Sequence, residues 1–201
     1  MIEIAATESA ELNFRQRWAT YLTLMTALLG LLLGVLLRAR VINATDFYQN
    51  SQNGISARYP ASWLLTQADL GEDLVFRVED LSAVPFKTTM QLALRASGPD
   101  ERANDVRDRL NISRSSQFVA YRALDTSPVT LVDGSPALRM NYAYVADEPN
   151  PFLQSVPVVV RGVDIIVLRN RQVLIISYRA DSASFDTYYH YFDAFLRSLQ
   201  F

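Results

Sequence analysis

The chain has one histidine, His190, and Asp186 lies four residues before it, a spacing that places two side chains on one face of a helix. An imidazole beside a carboxylate can act as a general base or bind a transition metal. A metal site here would need distant carboxylates, because the chain has no cysteine and no second histidine. A serine hydrolase would need the same histidine, and the sequence has no G-x-S-x-G segment. We therefore interpret His190 as an exposed residue on the polar face of a helix.

Paired acidic residues occur as Glu72-Asp73 and Asp147-Glu148. Neither pair has the alternating ligand spacing of a calcium-binding loop, and the sequence has no phosphate-binding loop and no G-x-G-x-x-G segment. A glycosidase-type pair of carboxylates stays open, because its members can be far apart in sequence. We predict no catalytic residues, no cofactor-binding residues, no cofactor and no metal ligands.

The charge distribution argues against a nucleic-acid partner. The formal net charge is −2, from 19 Lys and Arg against 21 Asp and Glu. Nucleic-acid-binding domains carry a basic patch, whereas the arginines of this chain cluster only around one apolar segment.

That apolar segment, residues 18–37, contains no charged residue and predicts a transmembrane helix. Two arginines precede it and two follow it, namely Arg15, Arg17, Arg38 and Arg40. Trp18 and Tyr21 lie at one end, where aromatic rings favour the membrane interface. The alternatives are a buried helix of a soluble protein and a cleaved signal peptide. The length of the run favours an uncleaved signal anchor, since signal peptides have shorter apolar regions.

The segment divides the chain into a tail at 1–17, the transmembrane helix at 18–37, a linker at 38–53 and an extramembrane domain at 54–201. The positive-inside rule gives a tie between the two flanking arginine pairs, so charge alone does not orient the domain.

Within the predicted transmembrane helix, small residues recur at spacings of 4, 3 and 4 and fall on one stripe about 60° wide. The stripe consists of Thr23, Ala27, Gly30 and Gly34. Its Gly30–Gly34 pair is a GxxxG motif, which lets another helix approach closely. We predict a helix-packing interface there, with other membrane-protein subunits as partners besides lipid. Whether the partner is a second copy or a different chain stays open.

The remaining sequence predicts an α+β domain. Strands are expected at 54–60, 74–78, 87–96, 118–124, 129–132, 137–145, 156–168 and 173–180. Asp133-Gly134 predicts a hairpin turn, and Gly162 inside a strand predicts a bulge. A short helix is expected at 101–110 with Asp100 as its N-cap, and a loop at 147–151.

Two patterns indicate layers on both sides of a sheet. Residues 165–168 and 173–176 are apolar without alternation, which is typical of strands covered on both faces. The last predicted helix, 184–200, has an apolar stripe of Phe185, Tyr188, Tyr189, Phe192, Phe195, Leu196 and Leu199.

This order of elements resembles the PsbP-like family, which includes extrinsic proteins of photosystem II and the Ran-binding Mog proteins. The matching segments are GISARYPASW (54–63), DGSPALRMNYAY (133–144) and VLIISYRADSASFDTYYHYFDAFLRSLQF (173–201). The resemblance implies an α/β/α sandwich with a mainly antiparallel sheet. It also implies a non-catalytic role on the outer or lumenal side of an energy-transducing membrane. Photosynthetic members are soluble after import, whereas this chain is predicted to keep a membrane helix.

Two functional interpretations follow. The first is an accessory or stabilising subunit of a larger membrane complex, held by one helix, with its domain docked on the extracytoplasmic face. The second is a single-pass sensor or small-ligand-binding protein that acts alone or as a homodimer. An enzyme is the third.

Overall fold

The computed structural model describes residues 14–66, 73–146 and 157–201. Residues 1–13 of the predicted tail, Glu72, and the loop predicted at 147–151 with its Asp147-Glu148 pair lie outside these ranges. The chain divides into two compact units, Met1–Ala44 and Thr45–Phe201.

The first unit contains one helix, α1 (Phe14–Ile42), whose 29 residues correspond to about 43 Å. The predicted helix at 18–37 lies within it, and α1 continues over the flanking arginines because arginine is itself a good helix former. The segment Arg17–Val41 is long and apolar enough to cross a membrane, and none of its most apolar part is buried.

In the described part of the second unit there are nine strands and two helices. They are β1 (Thr45–Asn50), β2 (Ile55–Pro60), β3 (Leu64–Thr66), β4 (Leu74–Asp80), β5 (Thr88–Ala96), α2 (Ala103–Gln117), β6 (Val119–Thr130), β7 (Pro136–Ala146), β8 (Val158–Arg169), β9 (Gln172–Asp181) and α3 (Phe185–Ser198).

Seven strands form one sheet in the order β3-β4-β5-β9-β8-β7-β6, while β1 and β2 form a separate hairpin. All neighbouring strands in both sheets are antiparallel. The turn between β6 and β7 contains Asp133 and Gly134, whose φ of +83° is a conformation that glycine adopts without strain. The predicted hairpin is therefore confirmed.

The seven-stranded sheet is covered on both faces, as the non-alternating apolar runs predicted. Ile165 packs in the core beneath α3 and β2, whereas its neighbour Ile166 packs with Val106 of α2 on the opposite face. The larger core is aromatic: Phe195 stacks on Phe76 at 5.3 Å between ring centroids, and Phe192 stacks on Tyr178 at 5.2 Å. The α/β/α sandwich with an antiparallel sheet is confirmed.

The linker predicted at 38–53 is wrong as a description of local structure. Its first residues continue α1, and Thr45–Asn50 forms β1, which pairs with β2 over its whole length. The sequence TDFYQN is mostly polar because β1 is largely exposed. One side chain holds it to the domain: Tyr48 packs at 4.8 Å from the Phe76 ring and donates a hydrogen bond to Val75 O.

The helix predicted at 101–110 extends further, to Gln117, and is not capped by Asp100. Asp100 has a φ of +59° and lies in the turn before α2. The Asp105 carboxylate instead accepts a hydrogen bond from the Arg102 backbone N–H at 2.8 Å. This interaction satisfies one of the free donors at the start of the helix.

The bulge predicted at Gly162 is also wrong. Gly162 pairs in unbroken register with Tyr142 on β7 and with Arg179 on β9. A Cβ on residue 162 would overlap Cζ of Tyr142. The glycine therefore provides the space in which the Tyr142 ring crosses β8.

Candidate functional site

The predicted helix-packing stripe lies on α1 with all four residues exposed. A Cβ atom added to Gly30 or to Gly34 would meet no other atom of the described residues within 4 Å, so side chains of α1 itself leave the groove at these glycines open. The Thr23 hydroxyl donates to Ala19 O at 2.9 Å and so is satisfied within the helix. The stripe can thus offer backbone-level van der Waals contact to another helix without presenting an unsatisfied hydroxyl.

His190 lies on the exposed face of α3, as predicted. Its Nδ1 is 2.8 Å from Thr187 O, within the same turn. Asp186 does not orient this imidazole, because its carboxylate pairs with Arg161 at 3.1 Å. The described residues contain no group of three or more His, Asp or Glu side chains that could hold a metal ion.

Two charged residues, Arg114 on α2 and Asp164 on β8, are buried between the helix and the sheet. Arg114 is 8% exposed and Asp164 is fully buried, and their side chains form an ion pair. The Arg114 guanidinium also lies 4.3 Å from the centroid of the Tyr142 ring. Ala103, Val106 and Leu110 precede Arg114 at helical spacing, so α2 directs this arginine at the sheet.

The electrostatics of this pair follow from its burial. Burial disfavours the charged guanidinium, but the charge and hydrogen bond of Asp164, together with Tyr142 and Tyr121, outweigh burial and raise the pKa of Arg114. Burial likewise raises the pKa of the Tyr142 phenol, which therefore stays neutral. A buried ion pair of this kind adds little net stability, although loss of one partner leaves an uncompensated charge.

The Gly162 backbone, the Tyr142 ring and the Arg114 guanidinium form a stack on one face of β8. The Gly162 backbone lies beneath the Tyr142 ring, and the Arg114 guanidinium lies above it before reaching Asp164. The arrangement joins α2 to β7 and β8, and it presents no nucleophile beside a general base. We interpret it as the polar attachment of α2 to the sheet.

Sequence reasoning missed this attachment, although two signals pointed to it. Asp164 is the single acidic residue of β8, between Val163 and the apolar run 165–168. Arg114 continues the spacing of the buried and half-buried apolar residues of α2, which are Ala103, Val106 and Leu110. Buried acids are usually paired, so such a strand predicts a basic partner from the covering layer.

A small cavity of about 30 Å³ lies at the turn end of the sheet, lined in part by Ile55, Leu94, Leu174 and Phe201. It has roughly the size of one water, far below the ~300–1,000 Å³ of small-molecule sites. This cavity therefore gives no support to small-ligand binding.

No family model matches the chain, and no curated protein matches its sequence. Its structure is similar to that of cyanobacterial PsbP (CyanoP) from Synechocystis, with a TM-score of 0.58 and 15% identity over 79% of this chain and 93% of that chain. The Ran-binding protein Mog1p from Saccharomyces cerevisiae gives a TM-score of 0.53 and 10% identity over 78% and 95%. LpqN, involved in cell envelope biogenesis of Mycobacterium tuberculosis, gives 0.52 and 14% over 79% and 91%. The predicted PsbP-like fold is therefore confirmed, and identities this low establish the fold alone.

Proposed function

We propose that this chain is a non-catalytic accessory subunit of a larger membrane protein complex. In this proposal α1 spans the membrane and packs against another subunit, and the PsbP-like domain docks on the extracytoplasmic face of the complex. The observation that carries the proposal is the open stripe of small residues on an exposed apolar helix that precedes a PsbP-like domain.

Two separate properties of α1 support the proposal. One favours membrane insertion, and the other favours a helical partner. Between Trp18 and Leu37 no side chain is charged, and the large apolar side chains of this stretch are about half or more exposed. Such a surface is stable in lipid, where backbone polar groups are satisfied within the helix. The open groove at Gly30 and Gly34 gains contact energy only when another helix fills it, because lipid benefits little from the close approach.

The fold supports a binding role in place of catalysis. Mog1p is described as a Ran-binding protein, and LpqN is described as involved in cell envelope biogenesis. Among the described residues of this chain, the buried ion pair of Arg114 and Asp164 attaches α2 to the sheet and has no nucleophile and general base beside it. The PsbP-like resemblance adds the expectation of an extracytoplasmic location.

The test replaces Gly30 and Gly34 together with Leu and purifies the full chain from its native membrane in mild detergent. Insertion should be unaffected, because Leu favours the bilayer at least as much as Gly does. Co-purification with partner subunits should be lost, while near-ultraviolet circular dichroism shows a folded domain. The matched control replaces Leu32 and Leu36, on the opposite face of α1, with Ala and should retain the partners.

Retention of the same partners by the Gly30→Leu, Gly34→Leu variant would contradict the proposal. So would wild-type protein that runs as a lone monomer in several mild detergents. Either result would favour the alternative, a single-pass sensor or ligand-binding protein that acts alone.

A further inference from the structure

Four buried polar atoms on the α2 face of the sheet have no hydrogen-bond partner within the described part of the chain. They are Thr89 Oγ1, Tyr142 Oη, Asp164 Oδ1 and Arg179 Nε. Buried polar atoms are nearly always paired, so four on one sheet face require an explanation.

These atoms belong to neighbouring positions. Arg179, Gly162 and Tyr142 are direct cross-strand partners on β9, β8 and β7, and Thr89 on β5 is the next partner beyond Arg179. Asp164 lies two residues after Gly162 and so points to the same face of β8. Three of the four residues therefore surround Gly162, with Thr89 beside Arg179.

The Tyr142 ring brings its hydroxyl into this centre. Its Oη lies 2.6 Å from the position that a Cβ of residue 162 would take, which places it over β8 and away from its own strand. On the same face of the sheet, Arg179 Nη2 donates a hydrogen bond to Gln91 Oε1 of β5 at 2.7 Å, which leaves Nε without a partner among the described residues. A phenol, a carboxylate oxygen and a guanidinium N–H thus occupy neighbouring positions around Gly162.

The donor and acceptor types identify the ligand. Arg179 Nε can only donate, Asp164 Oδ1 of the ion pair accepts, and the Tyr142 hydroxyl does either. A partner for all three must both donate and accept, which a hydroxyl group does. Tyr142 and Asp164 are fully buried, so the partner has to be very small. Water meets both conditions and commonly bridges about three such groups.

We propose that Tyr142, Asp164 and Arg179 form an internal water site that joins β7, β8 and β9 beneath α2. The water completes the hydrogen bonding of Asp164, whose other carboxylate oxygen pairs with Arg114. It therefore helps to hold the residue that attaches α2 to the sheet. This site is independent of the proposed accessory function.

The proposal is tested by whether removal of the Tyr142 hydroxyl lowers Tm or leaves it unchanged or higher. Tyr142→Phe removes only the hydroxyl and keeps the ring over Gly162 and beneath Arg114. If the hydroxyl bonds a resident water, the variant should lose that bond, and Tm should fall by about 2–4 °C. If the hydroxyl is unpaired, its removal should leave Tm unchanged or raise it.

Thr88→Val supplies the matched control. Thr88 Oγ1 is also buried and unpartnered among the described residues, but it shares the opposite sheet face with Met90 and Leu92. Its cross-strand partner Asp80 already accepts two hydrogen bonds from Ser82, and no other unpartnered polar atom of the described residues lies on that face. Thr88→Val should therefore leave Tm unchanged or raise it. Both variants are measured in the full chain in mild detergent by near-ultraviolet circular dichroism, which follows the aromatic core. A Tyr142→Phe variant that melts at or above wild type would overturn the proposal.

A crystal structure of the full-length wild-type chain at better than ~2 Å provides a second readout that does not depend on the variant's folding. Ordered density within hydrogen-bond distance of Tyr142 Oη and Asp164 Oδ1 would support the site. Well-defined side chains with no density between them would overturn it.

Discussion

At the scale of single residues, Gly162 shows how one missing Cβ shapes the polar attachment of α2. The Tyr142 ring occupies the space above this glycine, and its other face packs against the Arg114 guanidinium. The close approach requires glycine although the backbone has ordinary strand pairing on both edges. Any larger residue at 162 displaces Tyr142 and, through it, Arg114.

We predict that Gly162→Ala lowers the free energy of unfolding by at least about 1–3 kcal/mol, as expected of overpacking in a well-packed core. Urea unfolding of the full chain in detergent measures the change. Gly98→Ala is the control, since its Cβ would lie at an ordinary 3.8 Å from Glu101 Oε2. Equal stability of the two variants would show that the Tyr142 ring moves aside at no cost.

Among the acidic residues, Glu101 should show the clearest loss of its contribution to stability at low pH. Hydrogen bonds from the Arg95 guanidinium and the Gly98 backbone N–H lower the pKa of Glu101 to about 2. Because the folded-state pKa lies below the unfolded value, the ionised carboxylate stabilises the fold fully above about pH 4.5. This contribution is lost as the pH falls from about 4.5 to 2.

We expect the wild-type free energy of unfolding to decline over that pH range, and Glu101→Gln to be less stable at pH 7 with a shallower decline. Urea unfolding at a series of pH values measures both slopes. Asp108→Asn, at a side chain that is 61% exposed, should retain the wild-type slope. An unchanged slope in Glu101→Gln would disprove the assignment to Glu101.

At the scale of elements, the two helices of the domain attach to the sheet by different chemistry. In α3, Phe185, Phe192 and Phe195 are buried in the aromatic core. In α2, the two buried residues are Val106 and Arg114, so one of its main contacts is an ion pair. Apolar burial contributes the larger share of stability, whereas a buried ion pair contributes little beyond its geometry.

The contrast predicts that Phe192→Ala costs about 3–5 kcal/mol, a large part of the ~5–15 kcal/mol that a domain possesses. The Phe192 ring is fully buried and stacked on Tyr178, so its loss leaves a cavity in the centre of the core. His190→Ala, two residues away on the exposed face, should stay within about 0.5 kcal/mol of wild type. Thermal unfolding of both variants in detergent compares them, and similar losses would refute the assigned faces of α3.

At the scale of the whole molecule, the chain combines an apolar helix with a domain of a different character. The helix buries none of its most apolar segment, while the domain has a closed core on one face of its sheet and a smaller one on the other. In the proposed function this helix spans a membrane, where its backbone polar groups are satisfied within the helix. The side of the membrane that the domain occupies then decides which partners it can meet.

We predict that the domain lies outside the cytoplasm and the N-terminus inside. Because the chain has no cysteine, single cysteines at Ser9 and at the exposed Ala183 can be probed with an impermeant thiol reagent in intact cells. Labelling is expected at position 183 and not at position 9. The opposite pattern would reverse the orientation, and permeabilised cells should label at both positions.

The elements that could be predicted from the sequence are those whose apolar residues form a local pattern. Apolar runs without alternation predicted the two covered faces of the sheet, Asp133-Gly134 predicted the hairpin, and the aromatic stripe predicted the buried face of α3. The sequence also predicted the apolar helix, because twenty consecutive residues without charge need no tertiary information to be recognised. These features are local patterns, so a single sequence contains them.

The contacts of the polar residues, in contrast, follow from the packing of the strands and helices. The strand β1 reads as a linker because its stabilising contacts are cross-strand pairing and the Tyr48 contact with β4. The helix α2 is predicted too short because its buried stripe continues into an arginine, whose partner Asp164 is fifty residues away in sequence. Likewise, a glycine inside a strand predicts a bulge, but Gly162 is explained by the Tyr142 ring above it. In each case the residue type is explained by a partner distant in sequence, and such pairs are fixed only when the strands and helices pack together.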